Sequence, residues 1–209
     1  MSRWVLLFLT GSILGSLGDY FHKLFGVTIY PTQISSYQIP GIPVWTIFLF
    51  GFGAVAMGLG LKLFWKFRKH LKFRVRSSNL HSLLAGITFL GIYALSALIG
   101  NCQGHLPDVA LAATSLLFWE LSDGTSGGLL FAISVGFVGT SVEILLVHFG
   151  FFFYGNQVTK LMGVASWLPW IYVSAAIAAA NFSGTLNFRE QRQKARARFK
   201  RSKKIRIHL

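Results

Sequence analysis

Charge and apolar length are kept apart in this chain, and that separation constrains its fold more than any motif does. Seven Lys and Arg residues fall in Lys62–Arg76 and ten in Arg189–Arg206, while long apolar stretches fill most of the rest. An ordinary soluble domain carries about 25% charged residues. Here charged residues make up 12% and hydrophobic ones 53%. Six buried helices of such composition would leave a soluble protein without a polar surface. The same composition excludes intrinsic disorder. The chain reads as an integral membrane protein.

A helix needs about 20 apolar residues to cross the hydrocarbon layer. The candidates are Arg3 to His22, Val44 to Trp65, Leu80 to Gly100, Pro107 to Ser122, Ser126 to Phe149 and Trp167 to Leu186. The fourth is the weakest, being short and containing Glu120. The turn-like Ile39–Pro43 leads into the second, with proline placed to start a helix rather than interrupt it. A closed barrel would need strands of about 9–11 residues with alternating faces, and that alternation is absent. The fold class expected is therefore all-α, a polytopic membrane protein with a six-helix transmembrane bundle over residues 1–188. A basic cytoplasmic tail follows at 189–209. Trp4–Ser16 superficially resembles a signal peptide, but no small-x-small cleavage site precedes Gly18–Lys23, so it reads as a retained first helix.

Topology follows from the basic blocks. Six spans put Arg3, the loop Lys62–Arg76 and the tail on one side, with only Lys23 and Lys160 in the opposite loops. Cytoplasmic loops carry the excess of Lys and Arg, so the expectation is N-in and C-in. The two basic segments can also contact anionic lipid headgroups. The net charge of +14 would suit a nucleic-acid binder, but no recognition module surrounds the tail and no nucleic-acid partner is expected. Trp4, Trp45, Trp65, Trp119, Trp167 and Trp170 all sit near proposed helix ends, where an indole serves as an interfacial anchor. Gly11/Gly15, Ser12/Ser16 and Ala176/Ala180 supply small-residue surfaces for close helix approach.

Acidic residues inside the spans need an explanation, because a charge in lipid is expensive. Asp19 and His22 lie three apart on one helix face. They read either as an acid–base pair or as a polar cap at the helix end. Glu143 lies deep in the fifth span, with Thr140 on the turn before it. It reads as a neutral acid hydrogen-bonded across the bundle, as a ligand-pocket group, or as part of a proton or ion path. Glu120 and Asp123 flank a turn where Asp123, Thr125 and Ser126 can cap the next helix. The single Cys102 excludes an intrachain disulfide and a thiolate cluster. The histidines at 22, 70, 81, 105, 148 and 208 form no metal motif, and there is no nucleophile elbow, P-loop or dinucleotide fingerprint. No metal, cofactor or catalytic residue is assigned. Asn181–Ser183 matches a glycosylation acceptor but falls inside the sixth span.

The motifs WELSDGTSGG at Trp119–Gly128, LLVHFGFFFY at Leu145–Tyr154 and SWLPWIYVS at Ser166–Ser174, with Thr140 and Asn181 in register, resemble the Insig (insulin-induced gene protein) family. LFLTG at Leu7–Gly11 and GVTIYP at Gly26–Pro31 extend the likeness over nearly the full chain. The resemblance implies a six-span fold that binds an apolar lipid within the membrane and holds a membrane partner. It implies endoplasmic reticulum residence or another organelle membrane for a eukaryotic member, and the cell membrane for a bacterial one. For a prokaryotic member it implies a lipid such as diacylglycerol as the occupant. The family's turn aspartate, which serves partner binding, corresponds to Asp123. The family prefers basic residues in that turn where this chain has Gly124–Gly127. The strong basic tail and Glu143 depart from the family as well, and point to a compact, prokaryotic or organellar relative.

Together these readings favour a non-enzymatic, Insig-like regulatory protein. A central pocket would take a sterol, a diacylglycerol or an isoprenoid. Phe118, Glu143, Trp167 and Tyr172 are its candidate walls or gate, and Thr140 and Glu143 could meet a hydroxyl. A membrane-protein partner or a second copy of the chain would dock on the same bundle. Two alternatives stand beside this. One is an integral-membrane enzyme acting on an isoprenoid or lipid, with Glu143, Asp19 and His22 as acid and base. The other is a structural scaffold.

Overall fold

Ser2 starts the first helix: it is extended, and its hydroxyl accepts from the Val5 N–H, one of the amide groups a helix start leaves unpaired. The computed structural model describes residues 2–31, 38–39, 41–67, 78–102 and 104–186. The described chain folds into six helices: α1 (Arg3–Leu24), α2 (Val44–Phe67), α3 (Asn79–Ile99), α4 (Leu106–Ser122), α5 (Ser126–His148) and α6 (168–186). Most of the basic loop and all of the tail at 189–209 lie outside the described residues.

Local chemistry sets the helix ends. Ser78 caps α3 by accepting from the His81 N–H, Pro107 occupies the first turn of α4, and Thr125 caps α5 by accepting from the Gly128 N–H. Four helices, α1, α2, α3 and α5, are long and apolar enough to cross a membrane; α4 has 17 residues. In the most apolar windows of α2 and α5 only 17% of residues are buried in the protein. Phe52, Leu121 and Phe137 are each at least 65% exposed. Water does not tolerate such a surface, whereas hydrocarbon does.

Helix α6 occupies the middle of the bundle. Leu168, Ile171, Val173, Ser174, Ala176, Ile177, Asn181, Ser183 and Thr185 are all buried. Hydroxyl pairs fasten it: Ser115 Oγ of α4 lies 2.8 Å from Ser174 Oγ, and Ser82 Oγ of α3 donates to Thr185 Oγ1 at 2.8 Å. The Asn181 amide is spent on the Ile177 carbonyl within its own helix. Helices α1 and α2 approach closely, because at Gly11 and Gly15 the Ala54 and Phe50 side chains occupy the space a Cβ would take. Ser12 Oγ donates to the Ile47 carbonyl at 2.9 Å across the same seam.

One end of the bundle is closed by loops. Strand β1 (Thr28–Ile29) pairs antiparallel with β4 (Phe153–Tyr154), placing Thr28 opposite Tyr154 and Ile29 opposite Phe153. Two further hairpins, β2 (Gln38–Ile39) with β3 (Ile42–Pro43) and β5 (Lys160–Leu161) with β6 (Val164–Ala165), precede α2 and α6. Asn101 Nδ2 donates to the Phe25 carbonyl and Thr159 Oγ1 to the Gly104 carbonyl. The α1–α2, α3–α4 and α5–α6 connections therefore meet at one end. At the other, Thr185 Oγ1 reaches the Ser78 carbonyl, joining the end of α6 to the start of α3.

Candidate functional site

A cavity of about 720 Å³ lies among α1, α2, α3, α5 and α6. Its lining is apolar except for Thr10, Ser82, Tyr93, Ser134, Glu143 and Tyr172. On α2 the lining runs from Leu49 to Phe67, about 27 Å of helix at 1.5 Å per residue. The lining residues that are exposed are Ala56, Leu63, Phe67, Ser134, Val138 and Val142, and all belong to α2 or α5. The cavity therefore opens sideways, between these two helices. Phe64 and Phe131 span the gap with ring centroids 5.7 Å apart.

Glu143 sits toward the loop-covered end. Its Oε1 accepts from Tyr172 OH at 2.7 Å and its Oε2 from Tyr154 OH at 2.6 Å. It is partly accessible, and what it is accessible to is the cavity it lines. Gly139, one helical turn earlier, lets the Tyr172 ring lie directly on the α5 backbone. A polar group entering the cavity would meet Tyr172 and Glu143 together.

A second carboxyl is held in the same way. Asp19 Oδ2 accepts from Tyr30 OH at 2.6 Å. Asp19 is buried and does not line the cavity. Tyr93 closes over its helix, the ring lying against Gly18. Burial and the adjoining carboxyls raise the phenols of Tyr30 and Tyr154 well above the ordinary tyrosine value, so both stay protonated donors.

The sequence-nominated residues separate on this geometry. Glu143 and Tyr172 line the cavity. Phe118 is buried in the core on α4 and does not reach it. Thr140 lies outside the lining, and its hydroxyl is buried with no hydrogen-bond partner among the described residues. Trp167 is fully buried at the loop end, its ring against His22 and Tyr154. It is thus not an interfacial anchor, because the ends of α1 and α3 and strand β4 pack over it. Asp19 and His22 do not pair either. Asp19 binds Tyr30, whereas His22 Nε2 lies 2.8 Å from Ser96 Oγ, with Tyr93 edge-on at 4.6 Å. An acid–base set of Glu143, Asp19 and His22 is not gathered around the cavity, since Glu143 alone of the three lines it.

Asp123 shapes its turn. Its Oδ1 accepts from Thr125 Oγ1 at 2.8 Å, and its Oδ2 occupies the space a Cβ at Gly128 would need. Trp119 Nε1 donates to the Thr125 carbonyl at 3.0 Å, tying the end of α4 to the same turn. No group of three or more metal-binding side chains exists among the described residues. The sequence reading missed Tyr154, Tyr93 and Tyr30. Tyrosines spaced from an intramembrane carboxyl were the available signal.

No family model matches the chain. It is 28% identical over 183 residues to an INSIG protein homolog of Mycolicibacterium vanbaalenii, covering 86% of this chain and 84% of that one. It is 26% identical to insulin-induced gene 1 protein of Bos taurus over 89% of this chain and 66% of the bovine one. Likeness to insulin-induced gene 2 protein of Gallus gallus is also 26%, over 88% and 80%. The crystal structure of a cross-linked trimer of MvINS superposes with a TM-score of 0.76 at 25% identity, covering 88% of this chain and 93% of that one. The structure of MvINS, a mycobacterial Insig homolog from Mycobacterium vanbaalenii, matches equally well in fold at 24% identity. Four long apolar helices and these likenesses agree: the chain is an integral membrane protein and a relative of the Insig family.

Proposed function

We propose that this protein is a non-enzymatic, Insig-like regulator that takes one apolar lipid from the bilayer into the cavity between α2 and α5. The observation that carries this is the cavity itself: elongated, apolar, open sideways, and ending at Glu143 and Tyr172. Volumes of about 300–1,000 Å³ suit small-molecule ligands. Moving a lipid from the bilayer into an apolar slot gains little hydrophobic energy, since lipid tails are themselves apolar. Selectivity must then come from slot shape and from the polar contacts at its deep end. A sterol, diacylglycerol or isoprenoid carrying a small hydroxyl head fits that demand.

The same reading has six crossings, with both termini and the basic loop in the cytoplasm. Supporting it, three connections meet at one end, as alternating helices require. Partner docking would use the α4–α5 turn, whose shape Asp123 sets and where Gly124 and Ser126 are exposed. Self-association is a further proposal, supported by the trimer of the related MvINS.

Lipid extracted from purified protein and quantified by mass spectrometry tests the central claim. About one lipid per chain is expected. Ala175→Phe, which fills the slot from α6, should lower that stoichiometry while the protein still folds, at an overpacking cost of about 1–3 kcal/mol. Protein that carries no lipid, or an Ala175→Phe variant that carries as much as the parent, would overturn it.

A further inference from the structure

The two carboxyl–tyrosine clasps belong to a pattern that occurs twice. Gly15, Asp19, Phe25, Gly26 and Tyr30 are matched by Gly139, Glu143, Phe149, Gly150 and Tyr154 at identical spacings. After a loop that is shorter in the second copy, Ile39, Gly41, Ile42, Trp45 and Phe50 are matched by Leu161, Gly163, Val164, Trp167 and Tyr172, again at identical spacings.

The geometry repeats with the sequence. At the end of α1 the N–H groups of Phe25, Gly26 and Val27 donate to the carbonyls of Phe21, Lys23 and His22. At the end of α5 those of Phe149, Gly150 and Phe151 donate to the corresponding Leu145, Val147 and Leu146. Gly26 and Gly150 have φ of 68° and 75°, the left-handed conformation that suits glycine. Tyr30 and Tyr154 each reach back to the carboxyl 11 residues earlier. The hairpin glycines Gly41 and Gly163 have φ of 88° and 87°. Phe50 packs on Gly15 as Tyr172 packs on Gly139. The β1–β4 register places the equivalent residues Ile29 and Phe153 opposite each other, as a local twofold axis through the ribbon demands.

The bundle therefore holds two like units, α1 through α2 and α5 through α6, joined at the ribbon. The mouth of the cavity lies on the seam between them, because α2 belongs to one unit and α5 to the other. We infer that the ribbon is a pivot, and that the two units part about it to open the α2–α5 mouth, with Phe64 against Phe131 as the latch at the far end. Membrane transporters built from internal repeats open by one repeat rocking against the other around a fixed site. The clasps Tyr30–Asp19 and Tyr154–Glu143 hold each half of the ribbon to its own helix, so the pivot stays intact as the mouth moves. The inference rests on the reading that the cavity fills from the bilayer, but its test does not read lipid.

Spin labels at Leu63 and Val138, both exposed at the mouth, report its width by double electron–electron resonance in nanodiscs of phosphatidylcholine, in a Cys102→Ser background. Labels at Ile29 and Phe153 report the ribbon through dipolar broadening of continuous-wave spectra. The expected result is a broad or two-peaked mouth distance that lengthens in Phe64→Ala, or in the milder Phe131→Leu, beside strong ribbon coupling unchanged by either. A single narrow mouth distance that neither substitution moves would overturn the inference, as would ribbon coupling lost together with the latch. An absence of retained lipid would count against the proposed ligand and leave this result readable.

Discussion

Tyr154 donates its phenolic hydrogen to Glu143 Oε2 at 2.6 Å, fastening the α5–α6 loop to a helix that lines the cavity. The bond joins two roles in one residue: Glu143 closes the end of the slot and also faces into it. Tyr154→Phe removes the bond and keeps the ring packing. Leaving a buried acceptor without its partner costs about 1–3 kcal/mol, so the variant should unfold at lower temperature in the same detergent. Tyr172→Phe should lose a comparable amount, and the double variant more than either. An unchanged melting temperature in the double variant would contradict the assignment.

Gly128→Ala tests the turn before α5. Alanine is the better helix former, so propensity alone would make this substitution stabilising. The new Cβ would instead collide with Asp123 Oδ2. Displacing Asp123 breaks its hydrogen bond with Thr125, the cap of α5, at a cost of about 0.5–1.5 kcal/mol. Thermal melting gives the sign directly, and a stabilised variant would mean that Asp123 moves freely.

Ser96→Ala tests the histidine beneath the loops. His22 is fully buried and has Ser96 Oγ at 2.8 Å. Stranding a buried ring nitrogen costs about 1–3 kcal/mol. The destabilisation should be clear in chemical unfolding even though Ser96 touches neither the cavity nor the surface.

The boundaries of the long helices were legible in the sequence, because the length of an apolar run is itself the physical constraint. Val44 to Trp65 became Val44–Phe67, and Leu80 to Gly100 became Asn79–Ile99. Capping residues marked the starts, as Thr125 does for α5. The loop end was not legible. Strands of two residues carry no periodic signal, and the β1–β4 pair joins segments more than a hundred residues apart. For the same reason Trp167 read as an anchor near a helix end, although its burial depends on loops from elsewhere. Glu143 stood out as a carboxyl within an apolar run, but its tyrosine partners emerge only once the chain turns back on itself.

Sidedness can be measured with one thiol at a time. Cys102 is exposed at the loop-covered end, and Lys66 is exposed in the last turn of α2. In sealed vesicles a membrane-impermeant maleimide should reach Cys102 and Lys66→Cys (in a Cys102→Ser background) from opposite faces, one of the two labelling only after permeabilisation. Labelling of both from the same side would refute the proposed six crossings.

The hydroxyl-bearing stripe of α6 also bears on how the protein is made. Ser174, Asn181, Ser183 and Thr185 make this helix a poor match for open hydrocarbon on its own. Its receiving groups, Ser82 on α3 and Ser115 on α4, leave the ribosome earlier. Synthesis from the N-terminus thus supplies a berth before α6 arrives, in the form of a groove already lined with hydroxyl groups that match its own.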